Sequence, residues 1–245
     1  MVDEALARSF EGIGADYDRY RPGFPAAAVD LLIPEPVGAV LDLGAGTGKF
    51  TELLAGRAAR VIAVEPSEPM LAVLRAKLPD VDAHRASAEQ IPLDDESVDV
   101  VTVAQAFHWF DRIRACAEIA RVLAPGGTLE LIWNRSDPAS AWDREAHRIA
   151  HPAVAADDGT TSSAAEELPG FRFVAHEQIQ WTERIERTAY LKRWSTVSTF
   201  IVADDATRAA MFAAIEEILD TDPETRGQAH YDLPIVTDVF VYRRA

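Results

Sequence analysis

The chain has 245 residues, 48% of them hydrophobic, which suits one α/β domain with a substantial buried core. Its 24 basic and 40 acidic side chains leave a formal net charge of −16, which argues against nucleic acid or an anionic membrane as a partner. The single cysteine, Cys116, excludes an internal disulfide, and its setting in Ala115-Cys116-Ala117 reads as a small buried residue.

In chain order, Tyr17-Asp18-Arg19-Tyr20-Arg21-Pro22 precedes the first strand. Strands are predicted at 39–43, 60–65, 81–86, 98–104 and 128–133, with helices at 47–58, 67–78 and 111–123 between them. Near-continuous apolar runs such as Val98-Asp99-Val100-Val101-Thr102-Val103-Ala104 suit parallel strands covered on both faces. Pro125-Gly126-Gly127 ends the third of these helices and turns the chain into the fifth strand. Beyond residue 134 a helix is expected over 141–151, an exposed loop over 155–166 and a strand from Phe171 to about residue 181. A helical pattern rich in Tyr and Trp follows over 188–202, then an amphipathic helix over 204–220 and a last strand over 235–243. The acidic start lacks the basic-then-apolar order of a secretory leader, and no apolar run approaches the length of a membrane span. A cytoplasmic protein is therefore expected, and Asn134-Arg135-Ser136 matches a glycosylation acceptor only by chance.

The most informative stretch is Val40-Leu41-Asp42-Leu43-Gly44-Ala45-Gly46-Thr47-Gly48-Lys49. An apolar strand ends in an acid, and glycines at alternate positions allow a sharp turn and a close approach of ligand to backbone. A second apolar strand, Val61-Ile62-Ala63-Val64, ends in Glu65, whose carboxylate suits the two hydroxyls of a ribose. A dinucleotide fingerprint would place a third glycine where Lys49 stands, so a nicotinamide-dependent oxidoreductase is the weaker reading.

The Asp42, G-x-G-x-G and Glu65 pattern resembles the first motifs of class I S-adenosylmethionine-dependent methyltransferases. Ala86-Ser87-Ala88-Glu89-Gln90-Ile91-Pro92-Leu93, Gln105-Ala106-Phe107-His108-Trp109-Phe110 and Arg121-Val122-Leu123-Ala124-Pro125-Gly126-Gly127 extend the resemblance to the methyltransferase type 11 family, near the trans-aconitate methyltransferase-like proteins. The match is good over roughly residues 8–134 and rests afterwards on element order and on Leu233-Pro234 before the last strand. It implies an α/β Rossmann-like fold: a seven-stranded, mostly parallel sheet with the last strand antiparallel and helices on both faces. It also implies one domain over 1–245, with a lid at 1–35, a cofactor core at 36–134, a substrate cap at 135–203 and a closing helix and strand at 204–245.

The same resemblance implies that Gly44, Gly46 and Gly48 line the methionine part of S-adenosylmethionine, with Asp42 reaching its ammonium. Glu65 would hold the ribose, Pro66 and Met70 would pack on the adenine, and Ser87 and Ala88 would meet its edge. Gln105 lies where the fourth strand ends. Tyr17, Tyr20 and Arg21 would form the lid, with Arg21 on the cofactor's carboxylate. The lid's alternative is an N-terminal helix that simply packs on the sheet.

His108 is the candidate catalytic base, since it follows the fourth strand and a histidine takes a proton near neutral pH. Its alternative is a polar pocket wall, as for Trp109 and Phe110. His147 and His151 stand four apart on a helix, but no third ligand is apparent, and a solvated face is expected rather than a metal site. Arg184, Arg187, Lys192 and Arg193 form a local basic excess, read either as a solvated face or as attraction for an anionic substrate. The expected activity is methyl transfer to a small organic acceptor, on the oxygen of an anionic or phenolic group. A cofactor-binding protein without turnover is the remaining alternative, and the oligomeric state stays open.

Overall fold

The computed structural model describes residues 14–151 and 167–245. The expected loop over 155–166, and the part of the expected lid before Gly14, lie outside the described residues. Two helices, α1 (Gly14–Tyr20) and α2 (Ala26–Leu32), lead into a βα-alternating half. This half comprises β1 (Val37–Leu43), β2 (Ala58–Val64), α3 (Glu68–Lys77), β3 (Asp82–His84), β4 (Val98–Ala104), α4 (Arg112–Val122) and β5 (Leu123–Ser136). The remainder is α5 (Ala141–Ala150), β6 (Phe171–Glu186), α6 (Arg187–Trp194), α7 (Ser198–Val202), α8 (Asp205–Thr221) and β7 (His230–Arg244).

The seven strands form one sheet in the order β3-β2-β1-β4-β5-β7-β6. The first five pair in parallel, and β7 inserts antiparallel to both β5 and β6. Alternate residues of the apolar strands serve opposite faces, as their period of two requires. Leu41, Leu43, Val101, Val103, Leu129 and Leu131 pack with Cys116, Ile119 and Val122 of α4. Val40, Val100 and Ile132 pack with Val29, Leu32 and Ile33 at α2 and with Phe50 and Leu54. Helical residues thus cover both faces. A separate apolar cluster joins Trp142 and Ala146 of α5, Tyr190 and Trp194 of α6, Phe200 of α7 and Ile215 and Leu219 of α8 to the start of β7. We call this third cluster the cap. No helix among the described residues is long and apolar enough to cross a membrane.

Four local differences from the sequence reading have physical reasons. The helix expected over 47–58 is only a 3-10 turn, Thr51–Leu54. Gly48 and Gly56 both take left-handed backbone (φ 80 and 78°) and interrupt it at either end, leaving a segment too short to nucleate a helix. The third strand, expected over 81–86, shrinks to Asp82–His84 at the sheet edge. The helical pattern over 188–202 breaks in two, because the Ser195 and Thr196 hydroxyls donate back to the carbonyls of Lys192 and Arg193. Finally, β6 and β7 extend to Glu186 and back to His230, beyond the expected ends, because each supplies the other's ladder over its whole length.

Candidate active site

In this strand order β1 has β2 on one side and β4 on the other, so the chain winds both ways from the β1–β4 seam. Ligands of open α/β sheets bind outside the carboxyl ends of strands at such a switch point. A cavity of ≈ 680 Å³ opens there, walled by the glycine turn after β1, the segment after β4, the end of β5, helix α1 and the cap. That volume lies in the range of small-molecule sites, about 300–1,000 Å³.

The glycine turn needs its glycines for different reasons. Gly44 has φ 71°, and a Cβ there would stand 2.6 Å from the Ala106 Cβ, so the segment after β4 packs directly on bare backbone. Gly46 has φ 57°, a Cβ there would stand 3.9 Å from Met70 Sδ, and its N–H donates to Glu65 Oε2 at 2.9 Å. Gly48 instead turns toward Leu74 of α3 and Leu78 just past its end, off the cavity wall, so close packing of the turn on the helix accounts for it. Gly44 and Gly46 do line the cavity.

Asp42 is buried beneath the turn, accepting from Thr51 Oγ1 at 2.5 Å and from Thr102 Oγ1 at 3.1 Å, and it reaches the cavity wall. Burial pushes its carboxyl up to about 6 despite both hydrogen bonds. Glu65 is likewise buried and pushed up to about 6 by burial, while the Ser67 and Gly46 amides favour its charged form. Its second oxygen accepts from Ser67 N at 2.8 Å, so two backbone amides fix the carboxylate's orientation and leave lone pairs on both oxygens. Glu65, Pro66, Met70, Ser87 and Ala88 stand off the cavity wall; Met70 and Ala88 are buried, and the Pro66 carbonyl accepts from Arg85 Nε.

Gln105 holds a left-handed backbone (φ 58°) at the end of β4, a strained state for a residue with a side chain and one that clusters at functional sites. Two bonds hold it there: its amide N–H to the Ile132 carbonyl at 2.9 Å, and its side-chain amide to the Asn134 carbonyl at 2.9 Å. The Asn134 side chain, within the chance glycosylation match, donates to the Gly23 carbonyl and accepts from the Thr237 hydroxyl.

Helix α1 bridges the two halves. Lys77 of α3 pairs with Asp18 at 3.0 Å, and Arg193 of α6 donates to the Tyr20 carbonyl at 2.8 Å. Tyr17 and Arg21 line the cavity, whereas Tyr20 is buried behind it. The Arg21 guanidinium donates to the Thr196 carbonyl at 2.9 Å and lies 5.3 Å from the Tyr17 ring centre. Its Nε is buried without a hydrogen-bond partner. Burial lowers its pKa, yet a guanidinium stays charged at neutral pH, and no acidic side chain among the described residues pairs with it.

His108 lies on the cavity wall with its ring 4.6 Å from that of Trp109 and 5.4 Å from that of Trp133. Burial, and then the charge of Arg21, push it down to about 4, so it is a neutral imidazole at pH 7. The pair His147 and His151, expected on a solvated face, lines the cavity, with the His147 side chain 41% exposed. No group of three or more His, Cys, Asp or Glu side chains among the described residues has metal-holding geometry.

The basic excess over 184–193 disperses. Arg184 pairs with Asp232 and Arg187 with Asp220, both at 2.9 Å, and Arg193 pairs with Glu183 at 2.7 Å. Lys192 stands over the Tyr20 ring, and of the four only Arg193 reaches the cavity.

Sequence reasoning missed Trp133, Arg135 and Ser136 on the extended end of β5, and Asp143 on α5. The one available signal was the carboxyl end of the fifth strand, which Trp133, Arg135 and Ser136 occupy.

The donor set fits S-adenosylmethionine. Two left-handed glycines bare the backbone beside an acid at the end of β1, an oriented carboxylate follows β2, and a guanidinium with a buried Nε lines the same cavity.

Comparison with known proteins agrees. A methyltransferase domain model of the type 11 family matches residues 41–131. An uncharacterized methyltransferase of Mycobacterium tuberculosis is 40% identical over 233 residues, spanning 95% of this chain and 94% of its own length. One from Schizosaccharomyces pombe is 34% identical over 244 residues, spanning 95% of each. A solved structure assigned as a type II methyltransferase of Anaeromyxobacter dehalogenans superposes with a TM-score of 0.71 at 28% identity, over 92% of this chain and 97% of its own. The chain belongs to the type 11 family of S-adenosylmethionine-dependent methyltransferases.

Proposed function

We propose that the enzyme transfers the methyl group to an oxygen of a small, anionic or phenolic organic molecule. The observation that carries this reading is a cavity of small-molecule size that runs from the glycine turn to the cap, where Arg193 lines it as a second cation besides Arg21. In this reading Glu65 accepts from the ribose hydroxyls, with Pro66 and Met70 on the adenine face and Ser87 and Ala88 at its edge. Asp42, Gly44 and Gly46 meet the methionine part, with Gly48 shaping the turn behind them, and Gln105 flanks the methyl position. Arg21 pairs with the cofactor's carboxylate, with Tyr17 and Tyr20 beside it. The cofactor supplies an activated methyl on sulfur; the protein supplies orientation and the exclusion of water. A malonyl-[acyl-carrier protein] O-methyltransferase of Methylococcus capsulatus, 44% identical over 109 residues, supports oxygen as the acceptor, although the match covers 42% of this chain and 39% of that protein.

Incubation with methyl-labelled cofactor and separate panels of carboxylic acids, phenols and amines tests the reading. Label in acids or phenols is expected. Label only in amines, or only in added protein or RNA, would refute it. Arg21→Gln is expected to weaken S-adenosylhomocysteine binding about tenfold or more, the scale of a hydrogen bond to a charged group.

A further inference from the structure

The cavity contains three imidazoles, and their surroundings differ. His108 and His151 are both pushed down to about 4 by burial, with Arg21 adding to the effect on each. Neither has a carboxylate within ion-pair distance among the described residues. His147 does: its Nε2 stands 3.7 Å from Asp143 Oδ2, one helical turn back on α5.

Asp143 is almost wholly buried, and its other oxygen accepts from the Tyr190 hydroxyl at 2.8 Å. Tyr190 is itself buried and anchored in the cap core, edge-on to Trp142 and Trp194. The carboxylate therefore has one oxygen fixed by the cap and the other turned to an imidazole on the cavity wall. The Trp194 ring stands edge-on to the His147 ring at 4.9 Å and limits its rotation. The nitrogen not turned to Asp143, Nδ1, is the one left for a ligand. Trp133, Trp194 and Tyr190 give the same chamber flat apolar walls, which suit a planar ring.

We propose that His147, backed by Asp143, takes the proton from a phenolic or enolic hydroxyl of the methyl acceptor. This rests on the oxygen-methylation reading above and narrows its substrate class. As the new oxygen–carbon bond forms, the electrons of the methyl–sulfur bond return to the cofactor's sulfur. The hydroxyl proton passes to His147, whose imidazolium is stabilised by Asp143 and then loses that proton to solvent. A carboxylate acceptor would need no such device, since it is already ionised at neutral pH. Asp143 is a positioning residue. The charged and titratable groups facing His147 are Asp143 on its own helix, His151 just past that helix's end, Arg21 from beyond α1, and Arg193 and Tyr190 of α6. Asp143 raises the basicity of His147, while burial and the two arginines lower it, so the free imidazole prevails at pH 7 and is ready to accept.

The test uses the full chain with S-adenosylmethionine, 4-nitrophenol and catechol as phenol probes, and benzoate as the carboxylate probe. Methylation of a phenol is expected. His147→Gln should lower kcat on catechol about a hundredfold. The loss should be smaller on 4-nitrophenol, whose more acidic hydroxyl needs less help. S-adenosylhomocysteine binding should stay unchanged, which also reports an intact fold. Asp143→Asn should lower kcat and move the rising limb of its pH profile to lower pH, because it removes the charge that raises His147. Tyr190→Phe, which keeps that charge, should leave the limb near its place if the asparagine variant fails to fold. Methylation of benzoate without any phenol, no phenol turnover at all, or a His147→Gln enzyme as fast as wild type would each overturn the inference. The first of these would leave oxygen methylation standing.

Discussion

Around the glycine turn, the hydrogen bonds that orient Glu65 are short in sequence. Glu65 accepts from Ser67, two residues on, and from Gly46, 19 residues back. Around the cap they are long: Arg21 reaches Thr196 across 175 residues, Arg193 reaches Tyr20 across 173, and Tyr190 reaches Asp143 across 47. The first half is made from backbone geometry that only certain residue types allow. The second is made from side chains that meet because the sheet order brings β5, β7 and their helices over the end of β4. The two halves should therefore fail differently: the glycine turn through the conformation of single residues, the cap through the loss of partners.

The sharpest way to break this contrast lies in the turn itself. Gly44→Ala forces a side chain into left-handed backbone and to within 2.6 Å of Ala106. The strain alone is about 1–2 kcal/mol, and the clash adds to it. We expect a clear drop in melting temperature and at least a tenfold loss of S-adenosylhomocysteine affinity. Gly56→Ala has the same hand of backbone (φ 78°) with nothing within 4 Å, so it should show the conformational cost only and unchanged affinity in the same titration.

Proton linkage gives an intermediate effect. Asp42 and Glu65 are both raised to about 6 by burial. An acid whose folded pKa is raised stabilises the fold most fully below its unfolded pKa, about 4, and loses that contribution as pH rises through about 6. The ligand-free protein should therefore gain from Asp42 and Glu65 on going from pH 7 to 5, measured as a rise in melting temperature relative to Asp42→Asn or Glu65→Gln. Ribose hydroxyls donate to the ionised carboxylate, so S-adenosylhomocysteine binding should weaken over the same interval. That pH dependence should flatten in Glu65→Gln.

The smallest effect belongs to the dispersed basic excess. Arg184 and Asp232 form an exposed pair, the kind that contributes about 0.2–1 kcal/mol at most. Arg184→Ala should leave methyl transfer unchanged and melting nearly so. A large rise in KM for an anionic acceptor would show that the segment recruits substrate after all.

Strand positions, the glycine turn and the carboxylate after β2 were legible in the sequence because each rests on a local rule: apolar runs for buried parallel strands, glycine for left-handed turns, an acid where a strand ends. The missing helix after Gly48 was not, because two glycines outweighed the amphipathic pattern between them. The roles of the cap side chains were hidden for a different reason. Asp143 and His147 sit on one amphipathic helix, and nothing in that helix says whether its polar side faces solvent or a cavity. Nor could spacing show that Arg184, Arg187 and Arg193 would each meet a carboxylate.

Calorimetric titration of S-adenosylhomocysteine into the wild type, Glu65→Ala and His147→Gln tests the division between the two halves most directly. The account predicts that Glu65→Ala loses about 1.5–3 kcal/mol of binding, the scale of hydrogen bonds to a charged group, while His147→Gln binds as the wild type does. Unchanged binding by the Glu65 variant together with lost binding by the His147 variant would place the cofactor under the cap and contradict the account.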